Sequence, residues 1–268
     1  MNNVLVVGNS FIGNALYSKQ KNYTIINHND INSVDYSKFD VVINTALNPV
    51  YRNESYNIKN DIDIEIAKKA CKAGCYYIML SSRKVYGNFK NVEKLTEAHP
   101  YNPFDYYSEN KIKTEQFLIN NFNENSCIVR GSNFFGFELF RNSFFGFCLT
   151  SLFENNLIKC SINENIIRDF IHIDDVTFLL INIIKQKPLG VFNLGLGMGF
   201  SVKQIAESLI LGYDKGKFIG SDDFELDQQF IVDTTKLYNS LSIFPEYIKY
   251  ENKIINIGNQ LNLVKGKL

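Results

Sequence analysis

The sequence has no apolar run close to the roughly 20 residues that span a bilayer, and no excess of either charge: Lys plus Arg and Asp plus Glu each total 28. Its basic residues never cluster beyond Lys68-Lys69 or Lys19-Gln20-Lys21, so the electrostatic footprint of a nucleic-acid or anionic-membrane binder is missing. Met1-Asn2-Asn3 leads into an apolar segment without the basic stretch and small-residue cleavage site of an export signal, which makes a cytoplasmic protein the expectation. Cysteine is sparse and odd in number: Cys71, Cys75, Cys127, Cys148 and Cys160 show no metal-ligand spacing, so free thiols and no metal are expected. No internal repeat interrupts the chain. What is present is 268 residues, 45% hydrophobic and 21% charged, enough to bury a full core.

Short β-branched apolar runs alternate with helical patterns. Asn3 to Val7 reads as a strand buried on both faces of a parallel sheet, and it delivers the chain to Gly8-Asn9-Ser10-Phe11-Ile12-Gly13. That segment has the form of a G-x-G-x-x-G dinucleotide turn with Ser10 in the middle glycine's place. The first glycine would make the bend, the last would let the helix pack close to the strand, and the helix amino terminus would face a pyrophosphate. Ser10 should hold that anion slightly further off unless its hydroxyl replaces the lost backbone contact. A strand-to-helix turn without a ligand is the competing interpretation of the turn alone.

A second strand, Tyr23 to Asn27, ends at Asn27-His28, which are not acidic and so leave room for the 2′-phosphate of NADP. Asp30 lies a few residues on and keeps NAD(H) open. A third, Asp40 to Asn44, opens into Thr45-Ala46, at the strand end where open α/β sheets bind ligands. A helical pattern runs from Ile58 to Ala73. The strand Tyr76 to Leu80 follows and carries Ser81 and Ser82 at its end. A helix is expected to about Phe122, then a strand Cys127 to Arg130, and after it an aromatic-rich stretch in which Phe140, Phe144, Phe145 and Phe147 are expected to form lobe core. Val191 to Gly195 is a further strand, and Ser201 caps a helix from Val202 to Leu211. The order predicts an α/β fold of the Rossmann type, a doubly wound parallel sheet with a small C-terminal substrate lobe. Residues 1–136, completed by about 170–195, would be the dinucleotide-binding part, with 137–169 and 196–268 the lobe.

Tyr107 and Lys111 lie four apart on the predicted helix, where their side chains share a face. An ammonium beside a phenol favours the phenolate, and such a phenol can act as a general acid or base. Spacing alone does not single this pair out, because Tyr17/Lys21, Tyr86/Lys90 and Tyr213/Lys217 share it. The company of Ser82 and the glycine turn does.

The Gly8 to Gly13 turn, Ser82 with Val85-Tyr86-Gly87, Tyr107-x-x-x-Lys111, Arg130 with Asn133 and Gly136, and Arg168-Asp169-Phe170-Ile171-His172 with Asp174-Asp175-Val176 occur in the order of one family. The chain resembles an extended short-chain dehydrogenase/reductase of the NAD-dependent epimerase/dehydratase type, over residues 4 to about 236. The resemblance implies that Tyr107 donates or accepts the proton, that Lys111 tunes it and holds the nicotinamide ribose, and that Ser82 orients the sugar's reacting oxygen. It places Gly8, Ser10, Phe11, Ile12, Gly13, Asn27, His28, Thr45, Ala46 and Lys111 at the cofactor, NADP(H) ahead of NAD(H). Ser82, Arg83, Asn133 and Arg168 fall at a nucleotide-sugar substrate, Arg168 facing its diphosphate; an ion pair with Asp169 is the alternative for that arginine.

Two further departures from the family pattern bear on the reaction. Asp227-Gln228-Gln229-Phe230 has no arginine where many relatives place a second diphosphate contact, and Arg83-Lys84 replace the Asp-Glu pair of the sugar 4,6-dehydratases. Dehydration is therefore not expected. The implied reaction is reduction of a nucleotide-linked 4-keto-6-deoxy sugar, as in reductases of the dTDP-4-dehydrorhamnose reductase type, in deoxysugar and surface polysaccharide biosynthesis. A nucleotide-sugar 4-epimerase is the alternative, and a non-catalytic dinucleotide-binding regulator the third. Family likeness also implies a homodimer packed through the helices around Ala67 and Thr114.

Overall fold

The structure, a computed structural model, describes residues 2–89, 91, 93–221, 229–244, 247 and 249–266. Its first half runs β1 (Val4–Val7), α1 (Phe11–Lys19), β2 (Thr24–Ile26), β3 (Val41–Asn44), α2 (Ile62–Lys72), β4 (Tyr76–Ser82), β5 (Lys94–Leu95), α3 (Tyr106–Phe122), β6 (Ser126–Gly131) and β7 (Asn133–Phe135). The second half runs α4 (Phe144–Asn155), β8 (Leu157–Asn163), β9 (Ile167–His172), α5 (Ile173–Gln186), β10 (Gly190–Leu194), β11 (Gly199–Ser201), α6 (Val202–Tyr213), β12 (Lys217–Ser221), β13 (Ile231–Val232), α7 (Thr235–Leu241) and α8 (Glu251–Lys265).

Six strands form one sheet in the order β10-β6-β4-β3-β1-β2, every neighbour parallel. The expected doubly wound α/β architecture is present. From β1 the chain moves outward to β2 and then returns to the other side as β3, so the crevice between the ends of β1 and β3 is the topological switch point. Strand alternation sorts the core into two layers. Val4, Val6, Val41, Ile43, Ile78 and Val129 face one way, towards Leu179, Leu180 and Ile183 of α5. Leu5, Val7, Val42, Tyr77 and Met79 face the other, against Ile66, Ala67 and Ala70 of α2 and Leu118 of α3. The central strand β1 is apolar along its whole length because both faces are covered.

Several expected boundaries move for local reasons. The helix expected from Ile58 begins at Ile62, because the Asp61 carboxylate accepts the Ile64 N–H and closes the amino terminus there, leaving Ile58–Asn60 as a separate turn. Ser201 does cap α6, with Gln204 bonding back, and the helix runs two residues beyond Leu211 to Tyr213. The aromatic stretch divides: Phe145 is buried against Phe135 with ring centroids 4.7 Å apart, whereas Phe140 and Phe147 are exposed and are not core. Ala67 and Thr114 are both buried inside the chain itself, Ala67 on the sheet and Thr114 on Asp61.

Asp169, at the centre of β9, ties the second half of the chain to the sheet. Its buried carboxylate accepts hydrogen bonds from Leu196 N–H at 2.8 Å, Gly197 N–H at 2.9 Å and Ser132 Oγ at 3.0 Å, joining β9 to the residues that follow β6 and β10. Burial raises its pKa to about 6 in spite of these donors. The folded state therefore binds this proton more tightly than the unfolded chain, and the stability it contributes is greatest at low pH and is lost as pH rises from about 4 to about 6. Denaturant titrations of wild type and Asp169→Asn should show the variant losing ground to wild type as pH falls through that window; a difference that does not change with pH would contradict this.

Candidate active site

The glycine turn is shaped by what stands close to it. Gly8 sits at φ +104°, in the left-handed region, and a Cβ there would lie 2.8 Å from the Ala46 backbone nitrogen. A Cβ on Gly13 would lie 2.2 Å from Gly8 O and 2.8 Å from Thr45 Oγ1, so only glycine lets α1 start this close to β1 and β3. Ser10 is turned inward: its Oγ accepts the Gly13 N–H at 3.1 Å and caps α1. Thr45 Oγ1 donates to Val7 O and Gly8 O, which fixes the loop after β3 to the same turn. A helix amino terminus beside a close-packed, side-chain-free bend fits a dinucleotide pyrophosphate. At the tip of β2, Asn27 caps the turn His28–Asp30 through its own side chain, and no carboxylate stands at the strand end itself.

Two cavities open at the carboxyl ends of the strands. One, of about 220 Å³, is lined by Ile12, Thr45, Ala46, Ser82, Tyr107 and Lys111. The other, of about 250 Å³, is lined by Arg52, Ser82, Arg83, Lys84, Tyr107 and Asn133. Ser82 and Tyr107 border both and so stand at the seam between them. Asn27, His28 and Arg168 border neither; Arg168 is buried behind the second cavity, in register with Phe230. Asp227 and Gln228 lie outside the described residues.

Ser82 ends β4 and caps the following turn by accepting the Lys84 N–H at 3.2 Å, which leaves its O–H proton to donate elsewhere. Tyr107 is half-buried near the start of α3, and among the described residues its hydroxyl has no hydrogen-bond partner. The tyrosines of the competing pairs differ: Tyr86 OH is held by Arg130 and Asn193, Tyr213 OH by Asn156, and the Tyr17 ring lies under Lys21 at 4.5 Å. Of the four, Tyr107 is the one bordering a strand-end cavity.

Lys111 is fully buried, and its ammonium donates to Asp63 Oδ2 at 3.1 Å and Leu80 O at 2.9 Å. Burial alone would lower its pKa; the Asp63 carboxylate, followed by Tyr107 and Asp61, raises it above the ordinary lysine value, so the ammonium keeps its charge. Asp63 in turn accepts Tyr77 OH at 2.6 Å and Asn44 Nδ2 at 2.9 Å, and Asn44 accepts the Ala46 N–H. One carboxylate thus links α2, α3 and the ends of β3 and β4. Sequence reasoning missed Asp63; the signal was an acidic residue in the first turn of α2, on the side that packs on α3. A second buried pair lies deeper, where Arg130 grips Glu115 with Nε and Nη2 and Ser81 Oγ donates to the same carboxylate. Asp169 makes no ion pair with Arg168 among the described residues; its carboxylate faces the Leu196–Gly197 turn.

A glycine turn at β1, a hydroxyl at the end of β4 and a Tyr-x-x-x-Lys helix thus stand together over a six-stranded parallel sheet. The chain belongs to the NAD dependent epimerase/dehydratase family, whose sequence model matches residues 5–195. ADP-L-glycero-D-manno-heptose-6-epimerase from Brachyspira hyodysenteriae is 33% identical over 141 residues, which cover 48% of this chain and 44% of that protein; the match spans less than half the curated relative's length. Among solved structures, UDP-N-acetylglucosamine 4-epimerase from Methanobrevibacter ruminantium M1, in complex with UDP-N-acetylmuramic acid, aligns at TM-score 0.81 and 19% identity over 99% of each chain. The dTDP-glucose 4,6-dehydratase from Bacillus anthracis, in complex with NAD, aligns at TM-score 0.77 and 16% identity over 97% of each chain. At these identities the likeness is one of fold.

The Asp63–Lys111 pair carries a direct test. Lys111→Ala leaves a buried carboxylate without its cation, which should cost about 3–5 kcal/mol of stability. Adding Asp63→Asn should restore part of that loss, because the remaining side chain is then neutral. Chemical denaturation of the two variants decides it, and a double variant less stable than Lys111→Ala would contradict this expectation.

Proposed function

We propose that the chain transfers hydride between a nicotinamide dinucleotide and a ring carbon of a nucleotide-activated sugar, and that its reaction is reduction of a 4-keto-6-deoxy sugar. The observation that carries this reading is the placement of Ser82 and Tyr107 on the seam between two cavities, where one pair of hydroxyls reaches both a cofactor and a sugar. Residues 1–136 with about 170–195 would hold the dinucleotide through Gly8, Ser10, Phe11, Ile12, Gly13, Thr45, Ala46 and Lys111, with Asn27 and His28 at its adenosine end. Residues 137–169 and 196–268 would form the nucleotide-sugar lobe. The nicotinamide supplies or accepts the hydride when bound.

The protein's own part is proton handling and orientation. Ser82, its oxygen already accepting from Lys84 N–H, donates its proton to the sugar's reacting oxygen and polarises it. Tyr107, whose hydroxyl is free of protein partners among the described residues, gives its proton to the forming alkoxide. Lys111, kept charged by Asp63, has a third N–H beyond those given to Asp63 and Leu80, and that donor serves the ribose. Dehydration is disfavoured because Arg83 and Lys84 supply no carboxylate next to Ser82, and Lys84 is itself paired with Asp105 at 2.8 Å. A 4-epimerase using the same three residues is the second reading, favoured by the names of the relatives above.

Tyr107→Phe should cut turnover by at least the ~10²-fold typical of losing a general acid while leaving dinucleotide affinity unchanged; retained turnover would remove Tyr107 from the chemistry. NADPH should bind at least as well as NADH in a fluorescence titration, since the tip of β2 offers no carboxylate to repel a 2′-phosphate. A strong preference for NADH would put Asp30 on the ribose. Protein purified without added cofactor should carry little dinucleotide and should oxidise NADPH in step with product formed from a nucleotide-4-keto-6-deoxyhexose. NAD⁺ retained near one per chain, with a 4-hydroxy nucleotide-sugar interconverted and no net cofactor change, would establish the epimerase instead.

A further inference from the structure

Ser82 and Tyr107 are not alone at the seam: among the described residues Arg52 and Ser132 also border both cavities. Arg52 is exposed, and its guanidinium lies 5.6 Å from the centre of the Tyr107 ring. Ser132 is half-buried, and the backbone fixes its place. It follows Gly131, which ends β6 and pairs in register with Ser82 of β4, while its own N–H donates to Leu194 O of β10 at 2.9 Å. The two serines therefore stand beside each other at the ends of neighbouring strands.

Their hydroxyls are set in opposite senses. Ser82 Oγ accepts the Lys84 N–H, so its proton is free for the cavity. Ser132 Oγ donates its proton to Asp169 Oδ1 at 3.0 Å. Asp169 is fully buried and also accepts the N–H groups of Leu196 and Gly197; raised to about 6, it is still ionised at neutral pH, and a carboxylate can only accept. A hydroxyl has a single proton, so with that proton committed inward Ser132 offers the cavity lone pairs alone. Among the described residues no group donates to them. The seam thus presents one donor and, next to it, one acceptor.

A carbonyl oxygen can use the donor, and only a group with a proton to give can use the acceptor. In a 4-keto-6-deoxy sugar the reacting carbon C4 has C3 on one side, which carries a hydroxyl, and C5 on the other, which carries a methyl group. The C3 hydroxyl is thus the one donor directly beside the carbonyl. We propose that Ser132 accepts a hydrogen bond from the sugar's C3 hydroxyl while Ser82 donates to the C4 oxygen, so that Ser132 selects substrates that are α-hydroxy ketones. The inference rests on the nucleotide-sugar reading above and adds to it a residue that reads the position next to the chemistry. It also gives Asp169 a part in recognition: by holding the Ser132 proton inward, the carboxylate sets the sense of the hydrogen bond offered at the seam.

The test compares reduction of dTDP- or UDP-linked 4-keto-6-deoxyglucose, whichever the wild-type enzyme turns over faster, with reduction of its 3-deoxy counterpart. Wild type should favour the 3-hydroxy sugar by about tenfold in kcat/KM. Ser132→Ala should lose about tenfold on that sugar, mostly through KM, and less than about twofold on the 3-deoxy sugar, so that the preference disappears. NADPH affinity, followed by fluorescence, should stay unchanged and reports that the variant is folded. Equal losses on the two sugars would make the role of Ser132 structural and overturn the proposal; weakened NADPH binding would place its oxygen on the nicotinamide and overturn it too. Wild-type enzyme that reduces neither sugar removes the nucleotide-sugar reading and this proposal with it, whereas wild type that reduces both equally well removes the proposal alone. That last comparison needs no variant, so it decides the matter even where Ser132→Ala does not fold.

Discussion

A lysine ammonium inside a protein must have a counter-charge, and the way this chain meets that demand for Lys111 arranges the rest of the site. Asp63 supplies the charge from the first turn of α2, and Leu80 O supplies an acceptor from β4. Tyr77 and Asn44 also donate to Asp63, so the carboxylate accepts hydrogen bonds from three side chains of other elements. The pair holds α3 at one rotation over the sheet. With Lys111 fixed inward, Tyr107, one turn earlier, faces the cavity shared with Ser82. A neutral residue at either position would leave a buried charge uncompensated.

The same economy of charge runs through the second cavity. Lys84 is paired with Asp105, and Arg130 with Glu115, so these cations are already spoken for. Arg83 stands apart as a buried guanidinium resting on an aromatic ring and a carbonyl, and Asn133 beside it keeps an unsatisfied donor.

Much of this was legible in the sequence because it rests on short-range patterns. Apolar β-branched runs ending in Gly8, Thr45, Ser82 and Gly131 announce a parallel sheet with its ligand edge, and the i to i+4 spacing of Tyr107 and Lys111 needs only a helix to be meaningful. What was not legible depends on contacts between distant segments. Nothing local says that Asp63 meets Lys111, 48 residues on, or that Arg83 turns beneath Phe230 rather than outward. The exposure of Phe147 beside the burial of Phe145 is set by which face of α4 meets Phe135 and Phe170, which composition alone does not reveal. Asp61 shows the opposite case: its capping role is local, but an apolar pattern that continues upstream of it through Ile58 masks the stop.

In the proposed reaction hydride moves between a dinucleotide and C4 of a nucleotide-linked sugar at the Ser82–Tyr107 seam. Its most direct test is isotope transfer. With NADPH deuterated at the transferable position of the nicotinamide and a nucleotide-4-keto-6-deoxyhexose in a single turnover, the product examined by proton NMR should carry deuterium at sugar C4, and Ser82→Ala should slow that transfer. Product formed with ordinary hydrogen at C4, or deuterium found at another carbon, would contradict the account.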